Sequence, residues 1–90
     1  MIVQAAVKIF DKRQNKEIII PCHRHGDAFQ ILASFGYHRN IDFNELAQGF
    51  LDNNSNFYTR IEASQYMREH HQKTKFDGPP DTELYSEDLY

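Results

Sequence analysis

The spacing of hydrophobic positions changes several times along this chain, and each change marks a predicted element. Ile2 to Phe10 sets β-branched Ile2, Val3, Val7 and Ile9 around Ala5-Ala6 and predicts a strand, with Glu17 to Ile20 as its partner. Polar Asp11 to Lys16 between them predicts the turn of an antiparallel hairpin. Pro21 cannot donate to a central ladder and is expected to close the second strand. Asp27 reads as the N-cap of a helix over Ala28 to Phe35, where apolar residues take helical spacing, and Gly36 as its end.

Tyr37 to Asn44 reads as a loop, with extended character around Ile41 to Phe43. Gln48 to Asp52 and Phe57-Tyr58, joined by Asn53-Asn54-Ser55-Asn56, predict a short second hairpin. Thr59-Arg60-Ile61-Glu62 is a capping-box pattern that opens a second helix running to about His71. Gly78-Pro79-Pro80 breaks regular structure, and Ser86 to Leu89 can form one helical turn. The pattern predicts an α+β fold of short antiparallel hairpins packed with two helices. Residues 1–76 form the domain, and 77–90 an acidic C-terminal tail packed on it or on a neighbouring subunit.

Ninety residues, 40% of them hydrophobic, support one small core. The formal net charge of −3 argues against a protein that follows long nucleic acid through many phosphate contacts. Charge is unevenly placed: from Asp77 onward there are five acids (Asp77, Asp81, Glu83, Glu87, Asp88) and no base, which leaves a mildly basic body carrying all five histidines. Cys22 is the only cysteine, no secretory leader is evident, and no stretch has the length of a membrane span, so the cytoplasm is the expected compartment. A core this small, without a disulfide, predicts a homo-oligomer, and Leu84, Tyr85, Leu89 and Tyr90 in the tail are expected to seek a covering surface.

Two segments carry candidate chemistry. Cys22-His23-Arg24-His25-Gly26-Asp27 lies between a strand and a helix start. There Arg24, an imidazole such as His25 and the helix amides can hold an anion; alternatively His23 and His25 with Cys22 or Asp27 can ligate a metal, as in a metal-dependent phosphoesterase centred on His23, His25 and Asp27. Phe50, Phe57, Tyr58 and Arg60 place aromatics and a guanidinium around the second hairpin, a set able to stack a base and hold a phosphate, although some of these rings must supply the core of a protein without tryptophan. No phosphate-binding loop, dinucleotide fingerprint or activated nucleophile is present, so the reading favours binding over catalysis and implies no cofactor.

Arg24-His25, Gly49-Phe50-Leu51-Asp52, Phe57-x-x-Arg60-x-Glu62-Ala63, His71-Gln72 and the terminal Leu84-Tyr85-Ser86-Glu87-Asp88-Leu89-Tyr90 together resemble a group of small bacteriophage proteins. His71-Gln72 stands where that group has Gly-Gln, at the tight turn after the helix. The closest functional parallel is the Thoeris anti-defence family, whose members sequester a cyclic ADP-ribose-type immune signal without cleaving it. The resemblance implies a nucleotide sponge acting in the host cytoplasm, with a small nucleotide signal as partner. A third reading is a protein-binding inhibitor of a host defence protein that works through its acidic tail.

Overall fold

The computed structural model describes residues 1–90. Four strands, β1 (Ile2–Asp11), β2 (Lys16–Cys22), β3 (Phe43–Asp52) and β4 (Phe57–Thr59), form one antiparallel sheet in the order β2-β1-β3-β4. Helices α1 (His25–Ser34) and α2 (Arg60–Glu69) supply Ala28, Leu32, Ala63 and Met67 to a single core with Ala5, Val7, Ile9, Phe43 and Phe50 of the sheet. The predicted α+β architecture is therefore the one observed. No helix is long and apolar enough to cross a membrane.

Both hairpins close on a buried aspartate. Asp11 accepts the Arg13 and Gln14 amides through one oxygen and the Tyr37 hydroxyl through the other. Asp52 accepts the amides of Asn54 and Asn56, the Asn56 side chain and the Tyr58 hydroxyl. Each carboxylate replaces water at turn amides that would otherwise be unpaired.

Several boundaries differ from expectation for physical reasons. β2 continues through Pro21, paired with Ala6, because β2 is an edge strand and a missing N–H costs nothing on the open side. β3 begins at Phe43 rather than Gln48. Its pairing with β1 slips at Leu46, and that bulge breaks the alternation a strand would show in sequence. Asp27 is not the N-cap of α1: Arg24 takes that place, and the Asp27 carboxylate reaches back from the first turn to the Arg24 amide at 3.1 Å. The second helix ends at Glu69, earlier than His71.

Both helices stop in the same way. At α1 the Tyr37 amide bonds Leu32 O and the Gly36 amide bonds Ala33 O, with Gly36 at φ +78°. At α2 the Gln72 amide bonds Met67 O and the His71 amide bonds Arg68 O, with His71 at φ +55°. The tight turn forms at His71 without the glycine that its left-handed conformation favours. Gln72 then pairs with Ile2 through both ends of its amide, tying the helix exit to the start of β1.

From Asp81 the chain runs back along α2. Ser64 Oγ donates to Asp81 O, Arg68 donates twice to Pro80 O, and the Leu84 amide donates to Arg60 O. Leu84 is fully buried in the chain's own core. A 3₁₀ turn at Ser86–Asp88 delivers Tyr90, whose hydroxyl accepts from the Ala5 amide.

Candidate functional site

The six expected ligand residues lie in three places. His25, in the first turn of α1, is buried; its Nε2 is 2.8 Å from Gly49 O, and a carbonyl only accepts, so Nε2 carries the proton and donates. Burial holds its pKa below the ordinary 6.5; the bond to Gly49 opposes that shift and the nearby Arg60 charge adds to it. Phe50, edge-on to His25 at 5.2 Å between ring centres, is fully buried and has no face free for a base. Phe50 is therefore corrected from ligand contact to core.

Phe57 and Tyr58 project from opposite sides of β4, as successive residues of a strand must. Phe57 lies beneath Lys8, whose Nζ is 4.8 Å from the ring centre. Its ring closes over Gly49, where a Cβ would strike both that ring and the Tyr58 carbonyl. Tyr58 instead donates to Asp52 at 2.9 Å and packs on Tyr66. The Asn56 side chain foremost, with backbone amides and this hydroxyl, holds the Asp52 carboxyl far below the usual carboxylate range. These two aromatics serve the hairpin and do not meet Arg24 or His25.

Arg24 is bound up with the tail. Its guanidinium lies 5.7 Å from the Tyr90 ring centre, Nη1 is buried without a partner, and His23 stacks on the same tyrosine at 3.9 Å. The metal reading needs His23, His25 and Asp27 to converge. They diverge, toward Tyr90, Gly49 O and the Arg24 amide respectively, and no three His, Cys, Asp or Glu side chains are grouped to hold an ion.

Arg60 is the expected residue that faces a cleft. Thr59 caps α2 by accepting the Glu62 amide, while Glu62 accepts the Thr59 amide, so the predicted capping box fixes Arg60 in the first turn. The cleft, about 550 Å³, runs between the β3 segment Glu45 to Gln48 and Thr59-Arg60-Ile61, with Glu83 of the tail at its rim. One Arg60 Nη donates to Gln48 Oε1 at 2.6 Å, and Gln48 in turn donates to Glu45 at 2.7 Å. Arg60 Nε is buried with no partner. Tyr85 covers the guanidinium at 4.9 Å and donates to Glu83, which raises the Tyr85 pKa.

The sequence reading missed Gln48, Glu45 and Glu83 at this cleft, and Tyr85 over its arginine. Gln48 and Glu45 were hidden by the unrecognised bulge, and the two tail residues by the length of chain separating them from Arg60. The signal for Asp52 was in view: an aspartate opening an Asn-Asn-Ser-Asn turn is a strong acceptor for turn amides.

Fold and site define a small α+β protein with an arginine-walled cleft beside its central strand. A family model described as Phage T4 y16D protein matches residues 1–90, and the chain belongs to that phage protein family. No curated protein and no solved structure matches it. The expected bacteriophage origin is thereby supported.

Proposed function

We propose that this phage protein acts by stoichiometric binding, sequestering a small nucleotide immune signal of the cyclic ADP-ribose type without cleaving it. The observation that carries the reading is Arg60: a guanidinium oriented by Gln48, set at the start of a capped helix and on the wall of an open cleft. Helix-start amides and a guanidinium both favour a phosphate oxygen. Glu45 and Glu83 offer acceptors for sugar hydroxyls, and the exposed Tyr85 ring over Arg60 is the nearest aromatic available to a base, in the role first expected of Phe50, Phe57 or Tyr58. Arg24 and His25 belong to this reading only as neighbours that support the tail and β3.

Calorimetric titration with cyclic ADP-ribose and with ADP-ribose tests it. Arg60→Ala should weaken binding by about 1.5 to 3 kcal/mol, roughly ten- to hundredfold, as a charge-assisted hydrogen bond is lost. Arg60→Lys should recover part of the loss, because a point charge replaces the attraction but not the planar fork. Unchanged binding in the Ala variant refutes the assignment, as does a loss that follows only from a collapsed melting temperature.

A further inference from the structure

We infer that the outer edge of β2 is the pairing surface of a homodimer, in which two copies join into one continuous eight-stranded sheet. β2 has β1 on one side and nothing on the other. Its sequence, Lys16-Glu17-Ile18-Ile19-Ile20-Pro21-Cys22, holds three consecutive isoleucines on an exposed edge, and Ile19 is 38% exposed. An apolar edge of this length is a template for another strand.

The proline fixes which backbone groups face outward. Pro21 stands opposite Ala6 and has no N–H, so it occupies a position whose backbone groups point away from β1; with the antiparallel alternation, Ile19 and Glu17 also point theirs outward. Ile19 is the middle residue of β2. A two-fold axis through it would pair the whole strand antiparallel with its copy. Ile19 exchanges two hydrogen bonds with Ile19 of the second copy, and each Glu17 amide donates to the opposite Pro21 carbonyl, four bonds in all.

That register is self-complementary. Ile18 meets Ile20 of the copy on the core side of the sheet, and the two Ile19 side chains meet on the other. Lys16 falls opposite Cys22, and Glu17 opposite Pro21, so no like charges face each other. A shift by one residue would turn the core-facing isoleucines outward.

Helix α1 supplies an independent observation. Phe29 leans on Phe43 of β3, so the opposite flank of α1 faces the β2 edge. That flank carries Ile31, 41% exposed, and is continued by Phe35, 72% exposed, at the C-cap of the helix four residues on. Pairing of the β2 edges brings the two α1 flanks together across the axis and covers both residues. The second copy thus buries apolar side chains of a helix that itself packs on β1 and β2. Leu84 of the tail, by contrast, is already buried within its own chain.

Light scattering after size exclusion at tens of micromolar should give about twice the chain mass of 10.6 kDa. Ile19→Lys and Phe35→Lys should each yield a monomer with an unchanged circular dichroism spectrum, whereas Phe76→Lys, at an exposed position in the segment that binds the tail at Asp88, should leave the dimer intact. Because a lysine at Ile19 can also disturb folding, Ile19→Cys gives a second readout. Directly opposed cysteines at the axis lie within disulfide reach and should cross-link two chains under mild oxidation, while buried Cys22 stays reduced. A monomeric wild-type protein overturns the proposal, as does a dimer that survives both lysine variants, or an Ile19→Cys protein that fails to cross-link.

Discussion

Two residues show how local chemistry sets the acid response. Asp52 is held far below its ordinary 3.8 by turn donors, and His25 below its ordinary 6.5 chiefly by burial. In both cases the folded state binds protons less readily than the unfolded chain, so stability rises with pH and is lost as pH falls. The windows are separate: His25 acts from about pH 6.5 downward, and Asp52 only below the ordinary range of aspartate. His25→Gln keeps a donor for Gly49 O and removes the titration. Chemical denaturation between about pH 7 and 5 should show a shallower loss of stability for this variant than for the wild type. Equal slopes would mean that His25 does not titrate on folding.

At the scale of elements, most of the first hairpin, the α2 capping box and the Gly36 stop were legible because each depends on residues within a few positions of one another. The bulge at Leu46 was not, since it exists only in the pairing of β3 with β1. Arg24 displaced Asp27 as the cap of α1 for a similar reason: burying His25 against Gly49 draws the helix start toward β3. The paired helix endings give a direct prediction. His71 takes at α2 the left-handed position that Gly36 takes at α1, so His71→Gly should raise stability by about 1 kcal/mol, read as a higher denaturation midpoint at unchanged slope. A destabilised His71→Gly variant would show that the imidazole makes up for its backbone.

For the whole molecule, the division into body and acidic tail describes charge better than it describes packing. Leu84 lies in the same core as Val7, Ile9 and Phe50, and the segment after it carries Tyr85 to Arg60 and Tyr90 to Arg24. Such contacts, from 25 residues apart in sequence (Arg60 to Tyr85) to 77 (Val7 to Leu84), leave no local pattern, which explains why the cleft was only partly legible. Leu84→Ala should cost about 2 to 5 kcal/mol in thermal or chemical denaturation, the range of a cavity in a packed core; a loss below about 0.5 kcal/mol would mean that the tail is only loosely attached.

The binding proposed for this protein rests on the cleft that Arg60 lines at the start of α2. Mass spectrometry of small molecules released by heating protein purified from phage-infected bacteria tests that binding directly. An intact nucleotide is expected, near one equivalent per chain and depleted from the Arg60→Ala protein. Recovery of cleaved products, or of no nucleotide at all, would contradict that reading.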